Sequence, residues 1–146
     1  MSGVDGTLYT EVRTFYARQM RLLDALDVDG YVLTFTEDGV TDHVHRSERI
    51  EGRAALRAAA QAALSHYENA AMRHWNDHYL IESLAKNRYA VSYCSLVSRT
   101  AEDGTVAFEP TFRIDDVLVR VDGELRTASR TIERDRPSSA RLVDAS

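Results

Sequence analysis

Met72-Arg73-His74-Trp75-Asn76-Asp77-His78-Tyr79-Leu80-Ile81-Glu82 reads as a β-strand with two chemically different faces. Successive strand side chains alternate sides. His74, Asn76 and His78 therefore form one row, and Trp75, Asp77, Tyr79 and Ile81 the other. Two imidazoles and an amide side by side suit the wall of a polar pocket. The same row facing solvent would mean little, because a strand wet on one side is polar there. The stretch is also the first of four strand candidates: Met72 to Ser83, Arg88 to Thr100, Thr105 to Val121 and Glu124 to Arg134. Lys86-Asn87, Glu102-Asp103-Gly104 and Asp122-Gly123 mark the turns between them, the last two with the Gly that hairpins use for positive φ. Turns this short join neighbouring antiparallel strands.

Upstream, the pattern changes from a period of two to a period nearer 3.6. From Leu8 to Leu26, apolar residues recur at mostly three- and four-residue steps, with Thr7 as the expected cap of an amphipathic helix. Tyr31 to Thr36 is expected as a second short helix, with a strand only slightly weaker as the alternative, and Glu37-Asp38-Gly39 as a turn into a strand. Val40 to Ile50 reads as extended and ends at Gly52. Arg53 to Tyr67 is alanine-dominated, with Leu56, Ala60, Ala63, Leu64 and Tyr67 as its apolar stripe, and is expected to be a helix that covers a sheet. Three helices followed by a meander of long strands imply an α+β architecture, with the helices on one face of a curved antiparallel sheet and a pocket between them. The 146 residues suit one domain over 1–136; Pro137-Ser138-Ser139 begins a polar tail, 137–146, expected to be mobile.

Composition excludes several classes of partner. The net charge is −5 and Lys86 is the single lysine, so a phosphate-backbone partner is not expected. No segment reaches the ~20 apolar residues of a membrane span. One cysteine, Cys94, cannot form an intramolecular disulfide, and it is expected to be buried and inert in a protein of the reducing cytoplasm. The seven glycines are isolated and make no phosphate loop, and no strained nucleophile elbow is visible. His43 and His45, followed by Glu48 and Glu51, contain ligand types for a divalent metal. The spacing fits a metal poorly, and solvated strand side chains are the preferred reading. His74 and His78, four residues apart on a strand, would lie roughly 13 Å apart, beyond a shared metal. His66 most simply favours the dipole at a helix C-terminus. No metal or other cofactor is expected.

Several phrases together resemble the nuclear-transport-factor-2-like superfamily and, within it, the SnoaL-like proteins related to scytalone dehydratase, bile-acid dehydratases and ring-hydroxylating dioxygenase small subunits. They are Leu22-Leu23-Asp24 with Asp29-Gly30-Tyr31, Phe35-Thr36-Glu37-Asp38-Gly39-Val40, Ile50-Glu51-Gly52-Arg53, Arg73-His74, and the closing Asp122-Gly123-Glu124-Leu125-Arg126-Thr127-Ala128-Ser129-Arg130-Thr131-Ile132. The resemblance spans about Thr7 to Asp135 and implies a cone-shaped α+β fold around a pocket, commonly in a homodimer. The fold alone does not dictate an activity.

The resemblance places Asp24 where dehydratase-like members keep a pocket carboxylate, and His74 where they keep the acid/base histidine. A His can abstract or return a proton near neutral pH, and a carboxylate can fix its tautomer. Two departures alter the pocket. The Tyr usual five residues before the Asp is Gln19 here, with Tyr16 almost one turn earlier, and the Asn usual four residues after the His is His78. Tyr16, Gln19, Asn76 and His78 are the expected groups for substrate oxygens, and Tyr93 and Phe112 the expected aromatic walls for a flat, hydrophobic ligand. Arg130 either anchors a substrate carboxylate or phenolate or closes an internal salt bridge with Asp115 or Asp116, the second being favoured. The row Arg113, Asp115, Val117, Val119, Val121 is expected to face outward, where it would support an isologous dimer. The expected function is acid/base chemistry without a cofactor on a small cyclic or polycyclic metabolite: dehydration, isomerisation or ring closure in polyketide-type biosynthesis. The alternatives are a non-catalytic subunit like that of a dioxygenase, or a ligand-binding protein.

Overall fold

The computed structural model describes residues 4–67 and 69–136, so the expected tail from Pro137 onward lies outside the described residues. Helix α1 (Gly6–Asp24) begins two residues before its expected start, because Asp5 rather than Thr7 caps it, accepting the Leu8 N–H at 2.8 Å. Its buried residues Val12, Tyr16, Gln19 and Met20 recur at helical spacing. Helix α2 (Val28–Leu33) is capped by the Asp27 carboxylate on the Gly30 N–H and starts three residues earlier than Tyr31. Phe35 and Thr36, with their strand-favouring side chains, belong instead to β1 (Phe35–His43).

Glu37-Asp38-Gly39 is not a turn but an irregular part of β1, where the pairing shifts between Phe35 and Val40. A Cβ at Gly39 would lie 3.0 Å from both the Phe35 Cβ and the Thr36 carbonyl oxygen, so a side chain at this bend would crowd its neighbours and glycine is favoured there. The segment expected to run extended to Ile50 is a hairpin. A 3₁₀ turn at Val44–Arg46 and left-handed Ser47 (φ 50°) reverse the chain, and β2 (Glu48–Glu51) pairs back on Val40 to His43. No Gly or Asn announces that reversal. Helix α3 (Arg53–Ala63) ends in a 3₁₀ turn, Leu64–His66, and is fastened by the Arg53 guanidinium, which donates to the Phe35 carbonyl at 2.6 and 3.0 Å.

The remaining strands are β3 (Ala70–Ala85), β4 (Arg88–Ala101), β5 (Val106–Phe108), β6 (Phe112–Val121) and β7 (Glu124–Arg134). Thr105 to Val121 is broken into two strands around Pro110, which has no N–H for a ladder. The sheet runs β2-β1-β7-β6-β4-β3, with β5 also on β4. It is mixed rather than wholly antiparallel: β1 and β7 run parallel. The residues between them include α3 and five strands, so no hairpin dictates their direction. The whole is a cone of curved sheet with three helices over its open side.

One core cluster joins Val12 and Tyr16 of α1 to Val91, Tyr93, Ile114, Leu118 and Leu125 on the sheet. A second joins Val28, Val32, Phe35 and Leu56. Truncating a side chain such as Leu118 to Ala would cost about 2–5 kcal/mol. Cys94 points away from both clusters and is exposed, not buried, since its neighbours Tyr93 and Ser95 take the inward positions on β4. No helix among the described residues is long and apolar enough to cross a membrane.

Candidate active site

A cavity of about 520 Å³ lies between the helices and the inner sheet face. The small side chains Ala59, Ala60 and Ala63 of α3 line it on the helical side, where larger residues would fill it. A second space of about 440 Å³ adjoins it, and His43, Arg46, Met72, His74 and Ser95 border both.

His74 and Asp24 meet at this wall. The His74 Nδ1 lies 2.6 Å from the Asp24 Oδ1, and the His74 backbone N–H reaches the two carboxylate oxygens at 3.2 and 3.3 Å. Asp24 is the last residue of α1, so the helix delivers its carboxylate to β3, with only 6% of the side chain exposed. An ionised carboxylate only accepts hydrogen bonds. With the carboxylate as acceptor, the neutral tautomer that suits this contact has its proton on Nδ1 and its lone pair on Nε2. Two residues on, Asn76 also lines the cavity, and both its amide oxygen and nitrogen are buried with no partner among the described residues.

His78 is not with them. A bulge between Asp77 and Leu80, with His78 at φ 63°, breaks the alternation, so His78 is exposed and Tyr79 and Ile81 take the inward positions. Trp75 is on the outer face, where its indole N–H donates to the Ser98 hydroxyl at 2.9 Å.

Tyr16, Gln19 and Arg130 belong to a buried network instead of presenting free groups to a ligand. Arg130 donates to the two oxygens of Asp116 at 3.0 and 2.9 Å, to Gln19 Oε1 at 2.5 Å and to the Tyr31 hydroxyl at 3.1 Å. Tyr16 and Tyr93 donate to Asp116 at 2.8 and 3.0 Å, and the Gln19 amide donates to the hydroxyls of Thr34 and Thr127. Neither Tyr16 nor Gln19 borders the cavity, whereas Tyr93 and Arg130 do. Of the two carboxylates offered by the sequence, Asp116 is the partner of Arg130; Asp115 faces outward and meets Arg113.

Burial, followed by the Asp116 charge, raises the Tyr16 phenol well above its ordinary range. Burial does the same to Tyr93. Burial alone would lower the Arg130 guanidinium, but the adjacent Asp116 carboxylate outweighs it and keeps the group charged. Phe112 borders only the adjoining space, where it packs on His45 with ring centroids 5.3 Å apart.

His43 and Thr41, neither singled out by the sequence as a pocket residue, line the main cavity from β1. Burial and the nearby Arg46 cation bring His43 down to about 4. His45 is lowered too, by burial and then by Arg46 and Arg134. Among the described residues, no three His, Cys, Asp or Glu side chains stand close enough together to hold a metal ion.

The model of the SnoaL-like domain matches residues 7–131. The chain belongs to the SnoaL-like family. Among solved structures, Aln2 from a Streptomyces species is 36% identical, with a TM-score of 0.86 over 99% of this chain and 100% of that one. ActVI-ORFA from Streptomyces coelicolor is 34% identical, with a TM-score of 0.83 over 88% of this chain and 98% of that one. A protein from Catenulispora acidiphila, solved in complex with S-DNPA, is 33% identical, with a TM-score of 0.82 over 96% of this chain and 99% of that one. No curated protein matches the sequence. The SnoaL-like fold thus accounts for the cone, and the Asp24–His74 contact lies at the wall of its cavity.

Proposed function

We propose that this SnoaL-like protein is an acid/base enzyme that uses its own side chains to move a proton on a small cyclic or polycyclic metabolite of polyketide type. The observation that carries this reading is the 2.6 Å contact of Asp24 with His74 at the edge of a cavity large enough for such a ligand. Asp24 orients the ring and balances the charge that it acquires. Nε2 takes a proton from a carbon beside a carbonyl and later returns it to a leaving hydroxyl or to another carbon. Dehydration, isomerisation and ring closure share that first step. The Asn76 amide, with no partner among the described residues, is suited to a substrate oxygen. Similarity to two Streptomyces proteins and to a relative that holds S-DNPA supports this ligand class.

The experiment is exchange of the C1 protons of 2-tetralone for solvent deuterium, followed by proton NMR. Wild type is expected to accelerate the exchange, and His74→Ala to lose it. Binding of the ketone by wild type without acceleration would make the protein a binding module and overturn the enzyme reading.

The outward residues Val117, Val119 and Val121 support the further proposal of a homodimer across the sheet. Native mass spectrometry at twice the chain mass is the expected result; a monomer, or a complex with a larger chain, would contradict it.

A further inference from the structure

We propose that Thr41 and His43, two positions apart on the inner face of β1, form a neutral hydrogen-bonding clamp for the substrate oxygen that gains charge as His74 removes the adjacent proton. The inference rests on the acid/base reading of His74 and supplies the opposite wall of the same site.

In the sheet order, β1 and β3 are separated by β7, β6 and β4, yet curvature brings Thr41 and His43 to the same cavity as His74 and Asn76. Thr41 is 5% exposed, and its hydroxyl has no hydrogen-bond partner among the described residues. A buried hydroxyl without a partner is a cost in the free protein that a ligand oxygen would relieve. On the parallel partner strand, Thr41 stands beside Arg130 and His43 beside Ile132. Arg130 is already satisfied by Asp116, Gln19 and Tyr31, so this cation is committed to the protein, while the Thr41 hydroxyl beside it on the sheet is an unpartnered donor.

His43 complements that hydroxyl. Its burial and the Arg46 charge outweigh the opposing pull of Glu48 and Asp42, so the ring is neutral at physiological pH and carries a single N–H. A neutral imidazole donates to an oxygen that gains charge without first giving up a proton to it. In the step assisted, the C–H bond breaks and its proton goes to His74 Nε2. The electron pair forms the C=C bond, and the carbonyl π pair moves to oxygen, which accepts from the Thr41 O–H and the His43 N–H. Returning the proton from Nε2 to a β-hydroxyl breaks the C–O bond and releases water as the oxygen pair re-forms the carbonyl and the C=C pair shifts to the Cα–Cβ bond; returning it to the far carbon of a conjugated enolate re-forms the carbonyl and completes an isomerisation.

The test compares 2-naphthol, an enol-shaped analogue, with naphthalene, which lacks the oxygen, by fluorescence titration of wild type, Thr41→Val and His43→Phe. Wild type is expected to prefer 2-naphthol by about tenfold, and each variant to lose most of that preference while holding naphthalene within about twofold. Circular dichroism confirms that the variants fold; Thr41→Val keeps the side-chain shape and carries the test if His43→Phe does not fold. Absence of the preference in wild type, or its persistence in both folded variants, would overturn the clamp. 2-Tetralone exchange separates the two proposals. Exchange that needs His74 but is unchanged in Thr41→Val and His43→Phe overturns the clamp alone. A naphthol preference that needs Thr41 and His43 in a protein with no exchange supports the clamp and removes the acid/base reading.

Discussion

Asp24 holds His74 twice, through the ring Nδ1 at 2.6 Å and through the backbone N–H, so a helix end fixes both the position and the tautomer of a strand side chain. An amide in place of the carboxylate can present its NH₂ to Nδ1 and turn the tautomer over. Asp24→Asn should therefore lower 2-tetralone exchange by about 10²–10⁴ while 2-naphthol affinity changes little. A split between rate and affinity is the diagnostic; loss of both together would indicate a merely structural role.

Arg130 and Asp116 are almost fully buried, and each has further partners in the network. Removing one leaves the other charge uncompensated, so Asp116→Ala should destabilise the fold by about 3–5 kcal/mol in urea unfolding. Arg130→Ala should do likewise, and the double variant should fall well short of the sum. Additive losses would show that the pair is not coupled.

His43 couples stability to pH. Its folded value of about 4 lies below its ordinary 6.5, so between these limits the unfolded chain binds a proton that the native protein does not. Stability therefore falls as pH drops from 6.5 to 4, and is unaffected by this group above that window. His43→Phe should flatten the wild-type decline in Tm across that range, with the residual slope due to other groups, His45 among them. An unchanged slope would contradict the burial and Arg46 effects on His43.

Asn76 offers the opposite sign. With both amide atoms buried and unpartnered, Asn76→Leu should stabilise the free protein by roughly 1 kcal/mol, and lower 2-tetralone exchange by about tenfold. Thermal unfolding and the exchange assay together check this trade of stability for function. A less stable variant with full activity would refute it.

The strands from Arg88 and Glu124 were legible because alternation and Gly-containing turns are local signals. Strand alternation marked His74 as a pocket residue, but Asp24 and its pairing with His74 came from resemblance, because their contact joins residues 50 apart and has no local signature. Asp116 is readable in the sequence as the buried partner, since Ile114, Asp116 and Leu118 share one face and a carboxylate between two core residues demands a cation. The His78 bulge and the Ser47 reversal escaped because each uses a positive φ at a residue other than glycine. That single bulge moved His78 out of the pocket row. The parallel pairing of β1 with β7 is a long-range choice that no neighbouring residues encode.

The most direct test is the crystal structure of the protein with 2-naphthol bound. C1 of the naphthol is expected within about 3.5 Å of His74 Nε2, with Nδ1 still on Asp24 and the naphthol oxygen turned toward Thr41 and His43. A naphthol bound elsewhere, or a His74 ring turned so that Nε2 meets Asp24, would contradict this arrangement.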